Sequence, residues 1–342
     1  MVRMIGSPSC YIQGKGELKN LVKRSVVLGD SLVFIVEKKI QHLVMFDILF
    51  EVGDVRYQII EFEGECCFSS IQNIVKDITG NVIIGVGGGK VLDVAKAVAY
   101  FADLPIVLVP TVASSDAPCS AISVLYTEDG LLDRYLYLLV NPNMIIVDTE
   151  VICKAPVRFL VAGMGDALST YFEARMCYKS GVDVSKAALS LAKACYQTLM
   201  EDGVRAYLDI RNKQCTDAVE NIIEANIYLS GIGFESGGLA LAHAINNGLS
   251  QIPKINGLLH GEKVAFGTLV QLIYEKASEF EEVLAFCKKV GLPTTLKEVG
   301  VFDKKQLMDL AKFACDEVNE KLPISVEIQD VYEALLHMDL EK

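Results

Sequence analysis

Two of the four histidines in the chain stand close together in the C-terminal half, within the stretch LAHAINNGLSQIPKINGLLHGEKVAFG. Turn-forming residues lie between them at 246–248 and 253–257, so His243 is predicted to end one helix and His260 to begin another. Neutral imidazole is a common metal ligand. A catalytic metal site would also need a third protein ligand and an open coordination position.

A carboxylate that could complete this set lies in VRFLVAGMGDALSTYFEA, residues 157–174. Gly163 and Gly165 are predicted to open a helix, with Asp166 at or near its N-cap. Helix capping is the alternative role for this aspartate, and core packing is the alternative role for the histidines. An aspartate and two histidines, each at the mouth of a helix, form the ligand set of a catalytic zinc. The same residue types also bind Fe(II) in non-haem oxygenases.

A glycine cluster in NVIIGVGGGKVLDVAKAVAYFA, residues 81–102, is predicted to connect a strand to an amphipathic helix. Glycines there allow a sharp turn, and the N–H groups at the helix start favour a phosphate, so a nucleotide pyrophosphate is predicted. A plain strand-to-helix connection is the alternative. The spacing fits neither the G-x-G-x-x-G fingerprint nor a P-loop. An acid instead ends an earlier strand, at Glu37.

The next strand is followed by PTVASSDAPCSAISVLYTEDG, residues 110–130, which is rich in hydroxyl groups. Ligands of open α/β folds bind beyond the carboxyl ends of strands, although a loop that caps itself is the alternative. A glycine turn at one strand end and hydroxyl groups at the next together favour a bound dinucleotide. Oxidation of a metal-held alcohol by a nicotinamide would explain both predicted sites. The polar residues are Thr111, Ser114, Ser115, Asp116, Ser120 and Ser123.

Short β-branched runs alternate with helical stretches through the first 150 residues. Continuous apolar strands separated by helices indicate a parallel sheet that is covered on both faces. After about Cys153 the apolar residues recur at helical spacing instead. We therefore predict an α/β protein with an NAD-binding parallel-sheet domain at 1–155, an all-α metal-binding and substrate domain at 156–342, and a ligand cleft between them. The predicted strands are SLVFIVEKK, QIIEF, NVIIGVGGGK, LPIVLVPTV and MIIVDTE.

Composition argues against several other classes of protein. The formal charge is -12 and the 32 basic residues form no run, so no nucleic-acid partner is expected. Apolar runs of the length that a membrane span needs are missing, and the N-terminal sequence lacks the apolar region of a secretory signal. The ten cysteines contain no C-x-x-C pair. They are predicted to be reduced thiols in a cytoplasmic protein.

Five motifs, in order, resemble those of the glycerol dehydrogenase group within the metal-dependent, iron-containing (group III) alcohol dehydrogenase family. The family also includes dehydroquinate synthase and glycerol-1-phosphate dehydrogenase. The resemblance implies a dehydroquinate synthase-like fold, NAD, zinc and a homo-oligomer, an octamer. It also implies oxidation of glycerol or a related small vicinal diol to the hydroxyketone, with a zinc-bound alkoxide donating hydride to NAD. The motifs are GVGGGKVLDVAKAVA, PTVASSDAPCSAISVLYT, APVRFLVAGMGDAL, SGIGFESGGLALAHAINNG and LHGEKVAFGTLVQL.

The resemblance also assigns roles to individual residues. Asp166, His243 and His260 would be the zinc ligands, and Asp116 would orient the polyol. One departure is HAINNG, where the family often reads HAIHNG, so that Asn246 replaces a histidine that is not a ligand. The implied NAD site is made of Glu37, Gly88, Gly89, Lys90, Asp93, Thr111, Ser114, Ser120, Ile122 and Tyr126.

Three alternatives to a polyol dehydrogenase remain. A glycerol-1-phosphate dehydrogenase and a dehydroquinate synthase-like lyase would each need basic residues around a substrate phosphate. The segments beside the metal motifs are too apolar to supply them. A non-enzymatic NAD-sensing protein is the third alternative.

Overall fold

The computed structural model describes residues 4–50, 52–252 and 257–340. The chain divides into two compact units. The first, called the sheet unit, consists of Gly6–Pro156 and Lys213–Cys215. The second, called the helical unit, consists of Val157–Asn212 and the described part of Thr216–Lys342, with the described residues before Gly6.

Strands and helices alternate along most of the sheet unit. Its elements are β1 (Tyr11–Gly14), a 3-10 turn (Glu17–Asn20), α1 (Leu21–Ser25), β2 (Ser31–Glu37), α2 (Gln41–Phe50), β3 (Arg56–Phe62), α3 (Phe68–Asp77), β4 (Val82–Gly87), α4 (Gly89–Ala102), β5 (Ile106–Pro110), β6 (Ile122–Tyr126), β7 (Leu132–Tyr137), β8 (Met144–Asp148) and α5 (Thr149–Lys154).

Six strands form one parallel sheet in the order β1-β8-β5-β4-β2-β3. Alternate residues of β2 enter two different core clusters, with Val33 and Ile35 in one and Leu32, Phe34 and Val36 in the other. Both faces of the sheet are therefore buried, which explains why the strand is continuously apolar. The predicted parallel sheet and its five predicted strands are confirmed.

Three strands were not predicted. β1 is an edge strand of four half-buried residues, too short to give a clear pattern. β6 and β7 form an antiparallel hairpin within and just after the segment predicted to be a loop. Strand β7 is mostly exposed, so its sequence LDRYLY has no buried face to mark it.

The helical unit contains no strand among its described residues, as predicted for the second half of the chain. None of the helices in the described part of the chain combines the length and the apolar character needed to cross a membrane. The elements of the helical unit are α6 (Val157–Lys179), α7 (Lys186–Arg211), α8 (Asp217–Glu224), a π-helical turn (Ala225–Leu229), α9 (Ser230–Gly237), α10 (Leu241–Ser250), α11 (His260–Tyr274), α12 (Phe280–Val290), α13 (Lys304–Lys321) and α14 (Ile328–Leu340).

One disulfide joins Cys153, near the end of α5, to Cys215. The prediction that all ten cysteines are reduced is wrong for this pair. The two residues are 62 positions apart in the sequence, but the fold brings their Cα atoms to 6.0 Å, within the range that a disulfide spans. The other eight cysteines are thiols.

Candidate metal centre and nucleotide site

Asp166 lies in the interior of α6, which begins at Val157. The predicted helix start at Gly163 and Gly165 is therefore wrong, and so is an N-cap position for Asp166. Gly165 lies within this helix, and its missing side chain gives room to α11: a Cβ there would lie 2.4 Å from the carbonyl oxygen of Gly261. Asp166 is only 2% exposed, and a carboxylate so deeply buried favours a cation beside it.

Both histidines lie in the first turn of a helix. His260 begins α11, as predicted, but His243 lies near the start of α10 and not at the end of a helix. The predicted turn at 246–248 is helical instead, and Gly248 packs against α13: a Cβ there would lie 2.6 Å from Leu310. The predicted turn at 253–257 falls outside the described residues except for Gly257.

The three predicted metal ligands converge. Asp166 Oδ1 lies 3.2 Å from His260 Nε2 and 3.7 Å from His243 Nε2, and one ligand atom from each side chain falls within 4.8 Å of the others. Ligand atoms about 2.1 Å from a tetrahedral cation lie roughly 3.4 Å apart, so the arrangement fits such an ion. Among the described residues no other group of three such side chains meets this criterion.

The three candidate ligands differ in their access to solvent. The side chain of Asp166 is 3% exposed and that of His243 is 14% exposed, whereas that of His260 is 47% exposed. A cation held by this set would have protein on the Asp166 side and an open approach beside His260. An approach of this kind is what a catalytic metal needs to receive a substrate oxygen.

Glycines let the three ligand-bearing helices approach one another closely. A Cβ at Gly261 would lie 1.8 Å from the carbonyl oxygen of Ala162, so α11 rests directly on the backbone of α6. A Cβ at Gly267 would lie 2.3 Å from the carbonyl oxygen of Ala242, so α11 also rests on α10. The sequence shows these glycines but does not show which helices they contact.

Two glutamates next to the candidate metal ligands were not predicted. Glu173, fully buried on α6, has Oε2 2.6 Å from the ring Nδ1 of His243. Burial opposes ionisation of Glu173, but the charge of His243 and hydrogen bonds from its ring and from backbone N–H groups outweigh it and lower the pKa. Glu262 binds Arg158 through both carboxylate oxygens, at 2.6 and 2.7 Å. The i, i+7 spacing of Asp166 and Glu173 was a signal that places both on one helix face.

In the sheet unit, the glycine turn follows β4 and leads into α4, as predicted. Chain connections leave β2 and β4 toward opposite edges of the sheet, because β2 leads to β3 and β4 leads to β5. Such a switch point is where open α/β sheets bind ligands. Glu37 at the end of β2 accepts a hydrogen bond from Gly88 N at 3.3 Å, so the predicted acid and the predicted turn meet there.

Other residues predicted for the cofactor lie at or near these strand ends. Thr111 follows β5, and its N–H donates to the carbonyl oxygen of Gly87 at 3.1 Å. Ser114, Asp116 and Ser120 lie in the loop between β5 and β6. Ile122 and Tyr126 lie on β6, and burial raises the pKa of Tyr126 to about 12. Gly89 and Lys90 begin α4, and Lys90 forms an ion pair with Glu65.

A buried ion pair supports the loop between β5 and β6. Lys96 Nζ lies 2.9 Å from Asp93 Oδ1, and it also donates to the carbonyl oxygens of Ala117, at 2.8 Å, and Ile122. Lys96 has a fully buried side chain and was not predicted as a site residue. Asp93, predicted to contact the cofactor, is 7% exposed and is the charge partner of this lysine.

Comparison with known proteins agrees with this geometry. Residues 8–149 match the family described as iron-containing alcohol dehydrogenase. A glycerol dehydrogenase of Citrobacter freundii is 45% identical over 99% of this chain and 98% of its own. A glycolaldehyde reductase of Halobacterium salinarum is 39% identical over 99% of this chain and 98% of its own. The crystal structure of glycerol dehydrogenase from Schizosaccharomyces pombe matches with a TM-score of 0.94 at 36% identity, over 99% of this chain and 91% of that one. The chain therefore belongs to the iron-containing alcohol dehydrogenase family.

Proposed function

We propose that this chain oxidises glycerol, or a related small vicinal diol, to the hydroxyketone, with NAD and zinc as its cofactors. The observation that supports this most is the convergence of the Asp166 carboxylate with the His243 and His260 rings inside the helical unit. Glycerol as the substrate is supported by the glycerol dehydrogenase of Citrobacter freundii, which is 45% identical over nearly the whole chain.

In this proposal, Asp166, His243 and His260 hold the cation. A bound divalent cation supplies Lewis acidity that lowers the pKa of an alcohol, and bound NAD supplies the hydride acceptor. Asp166 contributes negative charge from a buried position, while the half-exposed His260 leaves room for the substrate to enter. Both rings must be neutral to act as ligands, so protonation of either ring would compete with the metal.

The nucleotide is proposed to bind at the carboxyl ends of β2, β4 and β5. The backbone N–H groups of Gly88 and Gly89 at the start of α4 suit the pyrophosphate. Glu37 would accept hydrogen bonds from ribose hydroxyls, and its contact with the Gly88 N–H at the glycine turn supports this role. The other residues proposed to line the NAD site are Lys90, Asp93, Thr111, Ser114, Ser120, Ile122 and Tyr126.

One further residue is proposed to contact the substrate, and a second affects the expected pH dependence. Asp116 would orient the polyol through hydrogen bonds to its hydroxyl groups, which a carboxylate accepts well. Asn246 lies one turn after His243 on α10, is 2% exposed, and its Oδ1 accepts no hydrogen bond from the described residues. An amide does not titrate near neutral pH, so this position would add no ionisation to the pH dependence of the reaction.

The proposal is tested by elemental analysis of the purified protein together with NADH formation on a substrate panel. The panel contains glycerol, 1,2-propanediol and glycerol 1-phosphate. We expect zinc in the wild-type protein and turnover of the two unphosphorylated diols. Asp166→Asn should remove both zinc and turnover without unfolding the protein. The matched control is Asp309→Asn, an exposed aspartate on α13 of the same unit. Turnover that persists in chelator-treated Asp166→Asn protein would reject the proposal.

A further inference from the structure

We propose that Glu173 is a positioning residue for the metal centre and selects the tautomer of His243 in which Nε2 carries no proton and can present its lone pair to the cation. The inference rests on the proposed metal site but concerns a residue outside the ligand set. It is drawn from the hydrogen bonds of one buried carboxylate.

Glu173 makes three short contacts with the start of α10. Its Oε1 accepts hydrogen bonds from the backbone N–H of Ala240, at 2.8 Å, and of His243, at 2.9 Å. Its Oε2 lies 2.6 Å from the ring Nδ1 of His243. The side chain has no exposed surface, so water does not compete for these contacts.

The two backbone contacts show what Glu173 does for α10 itself. The N-cap residue of this helix is Ala240, whose side chain cannot accept a hydrogen bond. The first N–H groups of a helix need acceptors, and the helix dipole favours a negative charge at that end. Glu173, on the neighbouring helix α6, supplies both the hydrogen-bond acceptor and the negative charge. It thereby fixes the backbone that carries His243.

The third contact determines which ring nitrogen carries the proton. A carboxylate only accepts hydrogen bonds, so Nδ1 of a neutral His243 must be the donor. The proton is then on Nδ1, and Nε2 presents its lone pair. Nε2 is the nitrogen that faces Asp166 Oδ1, at 3.7 Å. The opposite tautomer would present an N–H to the cation and could not act as a ligand.

Asp166 and Glu173 are seven residues apart on α6, which is two turns, so they share one face of a single helix. The two ends of the His243 ring therefore meet side chains of the same rigid element. Any movement of α10 relative to α6 would disturb the ring contact and the ligand distance together. We expect Glu173 to act on metal affinity through the orientation of His243, without contact to the cation.

Glu262 provides a matched comparison on the other ligand-bearing helix. It is also a buried glutamate, and its Oε2 accepts a hydrogen bond from Leu259 N, at the start of α11, at 2.7 Å. Its other partner is Arg158, and among the described residues it accepts no hydrogen bond from a histidine ring. Loss of its charge should therefore affect stability but not the tautomer of His243.

The experiment compares wild-type, Glu173→Gln and Glu262→Gln proteins in two measurements. The first is nitrogen NMR of metal-free protein with labelled histidine, at a pH where the rings are neutral, which distinguishes protonation at Nδ1 from protonation at Nε2. The chain has four histidines, so the spectrum is simple to assign. The second is the zinc dissociation constant, measured by competition with a chromogenic chelator.

We expect His243 to be protonated on Nδ1 in the wild-type and Glu262→Gln proteins. In Glu173→Gln the amide oxygen would keep the backbone contacts and the amide NH₂ would face Nδ1, which would move the proton to Nε2. Zinc affinity should fall about 10- to 100-fold in Glu173→Gln, as is typical for loss of a group that orients a metal ligand, and should fall less in Glu262→Gln.

Two results would overturn the inference: protonation of wild-type His243 on Nε2, or a Glu173→Gln protein that binds zinc as tightly as wild-type protein. If Glu173→Gln does not fold, the wild-type spectrum alone decides, because it needs no variant. The test is independent of turnover. A wild-type protein that shows the expected tautomer and zinc affinity but forms no NADH would contradict the proposed function and leave the role of Glu173 standing.

Discussion

Substitution of one glycine should show how strongly the metal centre depends on close helix packing. In Gly261→Ala the new methyl carbon would lie 1.8 Å from the carbonyl oxygen of Ala162 and 3.0 Å from the backbone nitrogen of Asp166. Both atoms belong to the backbone of α6, so a change of side-chain rotamer cannot relieve the contact. The helices α6 and α11 must separate.

The size of the effect follows from these distances. Ordinary van der Waals contact is at roughly 3.5 Å, so the helices must move apart by about 1.7 Å at this point. Overpacking of this kind destabilises a protein by about 1–3 kcal/mol. His260 precedes the substituted residue, and a metal shell tolerates changes of only about 0.2 Å in its distances. We therefore expect the variant to lose zinc affinity as well as stability.

Two glycine controls separate these effects. Gly203→Ala would place its Cβ 2.7 Å from the ring of Phe286, a side chain outside the candidate ligand set, and should reduce stability with little loss of zinc. Gly257→Ala has no atom within 4 Å of its new Cβ and should resemble wild-type protein. The melting temperature of each protein and its zinc content after dialysis are the quantities to measure. For a unit of this size the melting temperature should fall by about 2–4 °C per kcal/mol.

The reasoning would be refuted by a Gly261→Ala protein that retains zinc as well as wild-type protein does. It would also be refuted if Gly203→Ala lost zinc to the same extent, because loss of metal would then reflect general destabilisation. A Gly261→Ala protein with an unchanged melting temperature would show that the helices accommodate the methyl group without separating.

Three further perturbations test other features of the structure. Lys96→Met would leave Asp93 buried without its charge partner and should lower the free energy of unfolding by about 3–5 kcal/mol in urea titrations. The double variant Lys96→Met/Asp93→Asn should recover part of that loss. An unchanged free energy of unfolding in Lys96→Met would contradict the structural role of the pair. Thiol titration in denaturant should count eight thiols without reductant and ten after reduction, whereas ten in both would show that Cys153 and Cys215 are not joined. Zinc at 100 times its dissociation constant should stabilise the protein by about 2.7 kcal/mol. A chelator should therefore lower the melting temperature of wild-type protein but not that of Asp166→Asn protein. Equal decreases in the two melting temperatures would show that the metal binds elsewhere.

The central strands of the sheet were predictable because each one is a continuous apolar run that can be recognised within its own segment of the sequence. Residues of β2 and β4 are buried on both faces, so β2 is apolar from Leu32 to Val36, β4 contains only apolar residues and glycine, and the pattern is visible without knowing the neighbours. The hairpin of β6 and β7 lacked this signal. Its second strand faces solvent, and the polar residues of that strand resemble those of a loop.

The three candidate metal ligands could be selected from the sequence, and the structure brings them together, but their local structure was not predicted correctly. Their types and scarcity pointed to Asp166, His243 and His260, whereas the helix boundaries around them were placed wrongly. Glycines next to these residues indicate turns in the sequence, but in the structure Gly165 and Gly248 make room for α11 and α13. A local pattern cannot distinguish a glycine that turns the chain from one that accommodates a neighbouring helix.

The link between Cys153 and Cys215 has a consequence for proteolysis. It closes a loop that spans 62 positions of sequence and contains all of α6 and α7. A protease that cut the exposed chain between those two helices, near Gly181, would leave the two fragments covalently joined. The nicked protein would migrate as one species on a denaturing gel and separate into two only after a reducing agent was added.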